Sequence, residues 1–141
     1  MSEIRWRLHL ASPPEAVWEL VATDAGRARF WAERAPERDG AVEFEFTDGT
    51  RWRGRIVAAK RPRVFAVEYF GGSVATLELV SDGDGGTDLM LVETDVPPEW
   101  ADENRAGWVS VLLALKAAAD FDVDLRNHDA RRTWSQGYCD N

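Results

Sequence analysis

The segment Ala106–Phe121 constrains the fold more than any other part of the chain, because it is apolar along half of a helical circumference. The residues on its most apolar side recur at the spacing of one helical face: Trp108, Leu112, Leu115 and Ala119. Charged residues fall together on the opposite side. A stripe this wide predicts a long helix with two contact partners. Because the preceding chain is rich in strand patterns, we expect one partner to be the open face of a sheet.

The first part of the chain predicts one strand and two short helices. Residues 4–10 alternate between apolar and polar side chains, which is typical of a half-buried strand. The Ser-Pro-Pro-Glu run at 12–15 matches a capping box and predicts a helix over 13–22. Residues 23–24 are suited to cap a second short helix that reaches Trp31.

Five further strand patterns lie between residues 42 and 97, separated by turn signals such as Asp48-Gly49. Consecutive short strands with tight turns predict an antiparallel meander, because parallel pairs need long crossover connections. The polar stretch at 32–40 is predicted to be a loop. The sequence therefore predicts an α+β fold, in which a curved antiparallel six-stranded sheet carries two short helices. The long C-terminal helix is expected to lie across the concave face of that sheet.

The length of the chain predicts a single domain over residues 1–141. Its core is expected at about 4–124. The remaining segment, 125–141, contains Trp134 and Tyr138 and is too aromatic for a free tail. We therefore expect it to fold back onto the broad apolar side of the long helix. A contact in a homodimer is the alternative.

Charge and hydropathy exclude several classes of partner. The net charge of −8 argues against nucleic acid as a partner, because the phosphate backbone attracts basic surfaces. No apolar run approaches the length of a membrane span, so no membrane insertion is expected. The N-terminus lacks the apolar core of a signal peptide, which predicts a cytoplasmic protein.

Four short motifs carry a resemblance to a known family. In chain order they are Ser12–Trp18, Phe30-Trp31, Gly54–Val57 followed by Pro62–Phe65, and Gly86–Leu89 followed by Gly107-Trp108. Their order resembles the START and SRPBCC superfamily, also called Bet v 1-like. Within it, the chain is most similar to the group named for the activator of the heat-shock-protein-90 ATPase. The resemblance implies a helix-grip fold but no single activity, since the superfamily includes lipid carriers, polyketide cyclases and hormone receptors.

Familiar catalytic and metal-binding motifs do not occur in the sequence. It contains no Gly-x-Ser-x-Gly nucleophile, phosphate-binding glycine loop or dinucleotide fingerprint. His9 and His128 stand far apart, and no Cys or His pair has the spacing of metal ligands. The single cysteine, Cys139, lies near the end without a neighbouring base. We therefore predict no catalytic residue, no metal site and no cofactor.

Alternation along the strands places many aromatic side chains on the face of the sheet that the long helix covers. We predict a cavity between sheet and helix that binds a small hydrophobic or amphipathic ligand, such as a lipid or an aromatic polyketide. The predicted ligand-binding residues are Trp31, Phe44, Phe46, Trp52, Tyr69, Glu93, Trp108 and Leu112. Packing of these side chains into a solid core is the alternative.

The same alternation turns Glu93 inward, unless a bulge in the last strand returns it to solvent. An inward carboxylate could anchor a ligand by hydrogen bonds or transfer a proton. The alternative to a binding protein is therefore a cyclase- or dehydratase-type enzyme that uses Glu93 or His128 as its acid/base. A third function, implied by the resemblance, is an interaction protein that stimulates a chaperone ATPase. We favour binding without catalysis, because no catalytic constellation accompanies the apolar face.

Overall fold

The computed structural model describes residues 2–141, which form one antiparallel sheet and three α-helices. The strands are β1 Ser2–Leu10, β2 Glu37–Arg38, β3 Ala41–Glu45, β4 Arg51–Lys60, β5 Val64–Tyr69, β6 Ser73–Ser81 and β7 Thr87–Val96. The helices are α1 Pro14–Ala22, α2 Asp24–Arg27 and α3 Ala101–Phe121. Single 3₁₀ turns occupy Phe70–Gly72, Pro98–Trp100 and Trp134–Gln136. None of the helices in this part of the chain has the length and apolarity needed to cross a membrane.

The sheet has seven strands in the order β1-β7-β6-β5-β4-β3-β2, so the predicted antiparallel meander is confirmed and the predicted count of six is wrong. The additional strand is β2, within the stretch that was expected to be a loop. Glu37 pairs with Val42, and Arg38 pairs with Ala41. The two residues between them, Asp39 and Gly40, both have positive φ, as a tight hairpin turn requires. A strand of two exposed charged residues has no apolar alternation, which is why the pattern did not reveal it.

The first helix begins as predicted but without the predicted capping box. Its N-cap is Pro13, and no side chain caps it. The Ser12 hydroxyl instead donates to the Ala119 carbonyl and to the Asp120 carboxylate, both on α3. Ser12 therefore ties the end of β1 to the end of α3. The local pattern failed here because the Ser12 hydroxyl is directed at acceptors on α3, and no amide of the first turn of α1 donates to its oxygen.

The second helix is shorter than predicted. The Thr23 hydroxyl oxygen accepts from the Gly26 amide at 3.0 Å, which confirms one of the two predicted caps. The helix then ends at Arg27, and the chain continues through a turn to Trp31. The fully buried Arg27 guanidinium holds this turn, since it donates to the Ala35 carbonyl at 2.8 Å.

The long helix ends where the sequence predicts but begins earlier. It ends at Phe121, as the apolar pattern indicated, and begins at Ala101 rather than Ala106. The additional residues include Asp102 and Glu103, which favour the first helical turn because they oppose the helix dipole. Because these residues are polar, the apolar pattern did not include the first turn of the helix.

A bulge between β1 and β7 lies just beyond Glu93 and leaves the inward orientation of this residue unchanged. Ile4 pairs with Glu93, whereas Ser2 pairs with Val96, so the register shifts just beyond Glu93. Asp95 has a φ of 58° within this irregularity. Because the shift comes after Glu93, alternation holds up to that residue and its side chain is fully buried.

The segment after α3 runs back over the helix pair. It leaves α3 at Asp122, which has left-handed backbone angles and is exposed. Arg126, almost fully buried, then donates to the carbonyls of Ala28 and Ala32, at 2.8 Å each. We call residues 122–141 the tail. Its far end lies beside the first half of α3.

A candidate ligand cavity under the first half of helix α3

A cavity of about 480 Å³ opens between the first half of α3, the end of β5, the β3–β4 turn and the tail. Its lining residues are Phe46, Asp48, Thr50, Tyr69, Phe70, Trp100, Glu103, Asn104, Ala106, Gly107, Trp108, Ser110, Val111, Trp134, Gly137, Tyr138 and Cys139. Cavities of this size can enclose a small organic molecule.

Helical spacing explains why α3 leaves room at this place. From the N-cap Trp100 onward, residues that line the cavity recur at three- and four-residue intervals along α3: Asn104, Gly107 and Val111. A methyl group added at Gly107 would meet no heavy atom within 4 Å. The small side chain of Ser110 lies one turn further along. This stripe is distinct from the one that packs on the sheet, so the wide apolar side of α3 does have two contact surfaces.

The second half of α3 leaves no comparable space. Leu112 and Leu115 are buried there, as are Leu89 and Leu91 on the sheet. These side chains belong to one continuous core. The cavity therefore lies at one end of the helix.

The inner wall of the cavity rests on a cluster of aromatic side chains centred on Trp31. The Trp31 ring lies 5.0 Å from Phe44 and 5.7 Å from Trp108, measured between ring centroids. Its indole N–H donates to the Tyr69 hydroxyl at 3.2 Å. Tyr69 lies 5.3 Å from Trp108, and both rings line the cavity. Burial raises the pKa of Tyr69 well above its usual value, although the Trp31 N–H opposes that shift.

The outer wall is formed by rings that come from different parts of the chain. Phe46 of the β3–β4 turn lies 5.8 Å from Phe70 and 6.4 Å from Trp134 of the tail. Phe70 in turn lies 6.2 Å from Trp100, which precedes α3. Trp100 and Trp134 are each 37% exposed, so they stand at the opening.

Glu93 lies behind the cavity wall, where three side chains donate to its carboxylate. The Trp108 indole N–H donates at 2.8 Å, the Asn104 amide at 3.1 Å and the Ser73 hydroxyl at 2.6 Å. Both carboxylate oxygens accept from these groups. Trp108 and Asn104 line the cavity, whereas Glu93 does not. Glu93 therefore acts as a positioning residue for two groups of the wall.

His128 lies away from the cavity, in the first part of the tail. Its ring nitrogens contact the carboxylates of Glu33 at 2.5 Å and Asp124 at 2.8 Å. Burial alone would lower the pKa of His128, but these hydrogen bonds raise it above the usual histidine value. The histidine therefore fastens the tail to the loop after α2. His128 is not among the residues that line the cavity.

The predicted ligand-binding residues fall into three groups. Phe46, Tyr69 and Trp108 line the cavity. Trp31, Phe44, Glu93 and Leu112 are buried behind its wall or in the adjoining core. Trp52 lies in a surface groove with several arginines and donates its N–H to the Glu68 carbonyl at 3.0 Å.

Other lining residues were not predicted as ligand contacts, for reasons of geometry. Phe70 follows β5 directly, but the chain turns at Gly71, with a φ of 74°, so strand alternation no longer applies. For Trp134 and Tyr138, the unusual aromatic content of residues 125–141 is the signal that the sequence offers. Asp48 lies in the predicted hairpin turn, and nothing local indicates that this turn faces α3.

The charged groups that line the cavity are acidic, whereas its neutral polar groups include both donors and acceptors. Asp48 and Glu103 supply carboxylates, and no Lys, Arg or His occurs among the described lining residues. Residues 2–141 contain no group of three His, Cys, Asp or Glu side chains arranged to hold a metal ion. Every buried side-chain nitrogen or oxygen in the same range has a hydrogen-bond partner.

Three solved structures similar to the chain show how widely this fold occurs. Protein SSP2350 from Staphylococcus saprophyticus has a TM-score of 0.77 at 20% identity, covering 89% of this chain and 96% of that one. The Aha1 protein of Colwellia psychrerythraea, described as a dimer in solution, has a TM-score of 0.76 at 16% identity, covering 86% and 98%. DynU16, a protein in the dynemicin biosynthetic locus, has a TM-score of 0.70 at 18% identity. Here the match covers 84% of this chain but only 47% of DynU16.

No curated protein sequence matches the chain. The family model described as "Activator of Hsp90 ATPase homolog 1-like protein" matches residues 11–120, which is most of the chain. This match confirms the resemblance that the four sequence motifs carried. The chain therefore belongs to the Activator of Hsp90 ATPase homolog 1-like family, within the START/SRPBCC fold family.

Proposed function

We propose that this protein binds a small hydrophobic or amphipathic molecule in the cavity under the first half of α3, without catalysing a reaction on it. The observation that carries the proposal is an aromatic-walled cavity of about 480 Å³ in a protein whose core is otherwise well packed. Apolar walls exposed to water are unfavourable, at about 25 cal/mol for each Å². A ligand that covers them recovers that free energy.

The positions of Glu93 and His128 favour a binding protein over an enzyme that uses either residue as its acid/base. The carboxylate of Glu93 accepts from Trp108, Asn104 and Ser73, is fully buried and does not line the cavity. His128 is engaged with Glu33 and Asp124, outside the lining. A proton-transfer group must come within hydrogen-bonding reach of its substrate. Neither candidate meets this condition.

One structural relative supports a small organic molecule as the ligand. DynU16 is described as a protein in a biosynthetic locus, and its fold resembles that of this chain. We extend this to a role as a carrier or sequestering protein, and we propose that it acts in the cytoplasm. A binding measurement on this protein tests the proposed function directly.

The test uses Gly107, where a larger side chain enters open space. Gly107→Leu places a leucine in the cavity and should abolish binding of a neutral aromatic probe such as 1-naphthalenemethanol. Gly107→Ala, the matched control, adds one methyl group and should retain most of the binding. Both variants should be more stable than the wild type by about 0.5–1 kcal/mol, because glycine disfavours a helix interior. Loss of binding therefore cannot be attributed to unfolding.

Binding is measured by quenching of tryptophan fluorescence and by the rise of the melting temperature with probe concentration. A ligand at 100 times its dissociation constant should add about 2.7 kcal/mol of stability. Equal binding by the wild type and Gly107→Leu would place the probe elsewhere and refute the proposal. Absence of binding by either protein, to this probe and to longer apolar alcohols, would also refute it.

A further inference from the structure

We infer that the ligand carries a cationic nitrogen, so that the cavity accepts an apolar amine or ammonium compound in preference to a carboxylic acid. This inference rests on the proposed binding function and names the chemical class of ligand. It follows from the charge and hydrogen-bonding character of the opening, to which separate elements of the fold contribute.

The charged side chains at the cavity are both acidic. Asp48 comes from the β3–β4 turn and Glu103 from the first turn of α3, so two elements bring negative charge to one opening. Neither carboxylate forms an ion pair with any residue in 2–141. One oxygen of Asp48 accepts from the Thr50 amide at 2.9 Å, which leaves its other oxygen free. An anionic ligand would meet like charge here without a compensating cation.

Asn104 adds a neutral acceptor to the same wall. Its amide nitrogen donates to the Glu93 carboxylate, which fixes the orientation of the side-chain amide. Its carbonyl oxygen accepts from no group in the described part of the chain. Because Asn104 lines the cavity, this oxygen is available to a donor on the ligand. An ammonium group supplies such donors, and a carboxylate does not.

The aromatic rings at the opening also favour a positively charged ligand. The faces of aromatic rings attract cations, most strongly those of tryptophan, and repel anions. Trp100 and Trp134 stand at the opening, with Phe46 and Phe70 between them. An ammonium group among these rings would be only partly desolvated, and its apolar body would lie against Tyr69 and Trp108.

Two other electrostatic effects must be separated from this one. The N-terminus of α3 has partial positive charge, but Asp102 and Glu103 in its first turn oppose it. The whole protein has a net charge of −8 and attracts any cation weakly. The experiment therefore needs a control variant that removes two negative charges far from the cavity.

Three probes with one apolar body and different charge test the inference by calorimetric titration at low salt. They are 1-naphthylmethylamine, 1-naphthalenemethanol and 1-naphthoate. We expect the wild type to bind the amine about tenfold more tightly than the alcohol, and the carboxylate most weakly. In Asp48→Asn/Glu103→Gln, the amine should lose about tenfold while the affinity for the alcohol is unchanged. Asparagine at 48 retains the oxygen that accepts from Thr50, so the turn is preserved.

The control variant is Asp84→Asn/Asp88→Asn, which has the same net charge as the test variant. Both aspartates are exposed in or beside the β6–β7 turn, at the end of β7 remote from Glu93. The control variant should keep the wild-type preference for the amine. An equal loss in both variants would attribute the preference to overall charge and overturn the inference. A carboxylate that binds as tightly as the amine would overturn it too, while the binding function would stand. If none of the three probes binds, and longer apolar alcohols and amines do not bind either, both proposals fail.

Discussion

Replacement of Glu93 by methionine should destabilise the protein by about 3 kcal/mol, because this carboxylate is the acceptor that holds two groups of the cavity wall. The Trp108 indole N–H, which is buried, would lose its acceptor at 2.8 Å. An unpaired buried donor costs about 1–3 kcal/mol. The charge-assisted bonds from Asn104 and Ser73 would also be lost. Asn104 is half-buried and can turn to water, so its share is smaller.

Glutamine at position 93 is the matched variant and should cost only about 1 kcal/mol. Its carbonyl oxygen can still accept from Trp108, and its amide can donate to the Ser73 hydroxyl oxygen. The Ser73 hydroxyl can then direct its single proton to the Phe70 carbonyl oxygen, which lies 3.1 Å away. What remains lost is the additional strength of bonds to a charged acceptor.

Urea unfolding monitored by tryptophan fluorescence measures both changes. With a slope of about 2 kcal/mol per molar urea, typical of small domains, the methionine variant should unfold at about 1.5 M lower urea than the wild type. The glutamine variant should shift by about 0.5 M. Asp88→Asn, an exposed position on the same strand, should not shift measurably. A methionine variant as stable as the wild type would refute the positioning role of Glu93.

Three further predictions concern the tail and the sheet. Arg126→Ala should release the tail, because the buried guanidinium donates to two backbone carbonyls, and trypsin should then cleave the tail faster than in the wild type. The His128 contacts should hold the tail most firmly below about pH 6.5 and weaken as pH rises through the raised pKa of the folded state. A fluorophore on Cys139 should therefore report greater tail mobility in mildly alkaline buffer, and His128→Gln should remove that pH dependence. Gly54→Ala should destabilise by about 2–4 kcal/mol in thermal unfolding, since the added methyl would lie 1.9 Å from the Glu68 carbonyl oxygen, whereas Gly107→Ala should stabilise.

The strand order and the long helix could be predicted because one-sided burial imposes a regular pattern on the sequence. Phe44, Tyr69 and Leu91 follow the alternation of their strands and are buried as predicted. Glu93 obeys the same rule, because the bulge in β7 falls after it. Where burial is absent, as in the two-residue β2, the pattern carries no information.

The position of the cavity could not be predicted from periodicity. Alternation indicates which side of a strand faces the helix, but not whether neighbouring side chains fill the space between them. Trp31 and Phe44 meet each other and close the interior, while Gly107 and Ser110 leave it open further along. Whether space remains depends on the volumes of side chains that are distant in sequence.

The outer wall of the cavity depends on contacts that no local pattern encodes. Trp134 reaches Phe46 across most of the length of the chain. Its position follows from Arg126 and His128, which fasten the tail to the helix pair through hydrogen bonds. The aromatic content of the tail indicated that it would be buried, but not against which surface.

A crystal of the protein soaked with 1-bromonaphthalene tests the central claim most directly, because the anomalous signal of bromine locates the ligand without further interpretation. We predict one strong peak inside the cavity, between Phe70, Trp108 and Trp134. The peak should be absent in crystals of Gly107→Leu. A wild-type crystal with no peak in this cavity, or with bromine only on the outer surface of α3, would contradict the account.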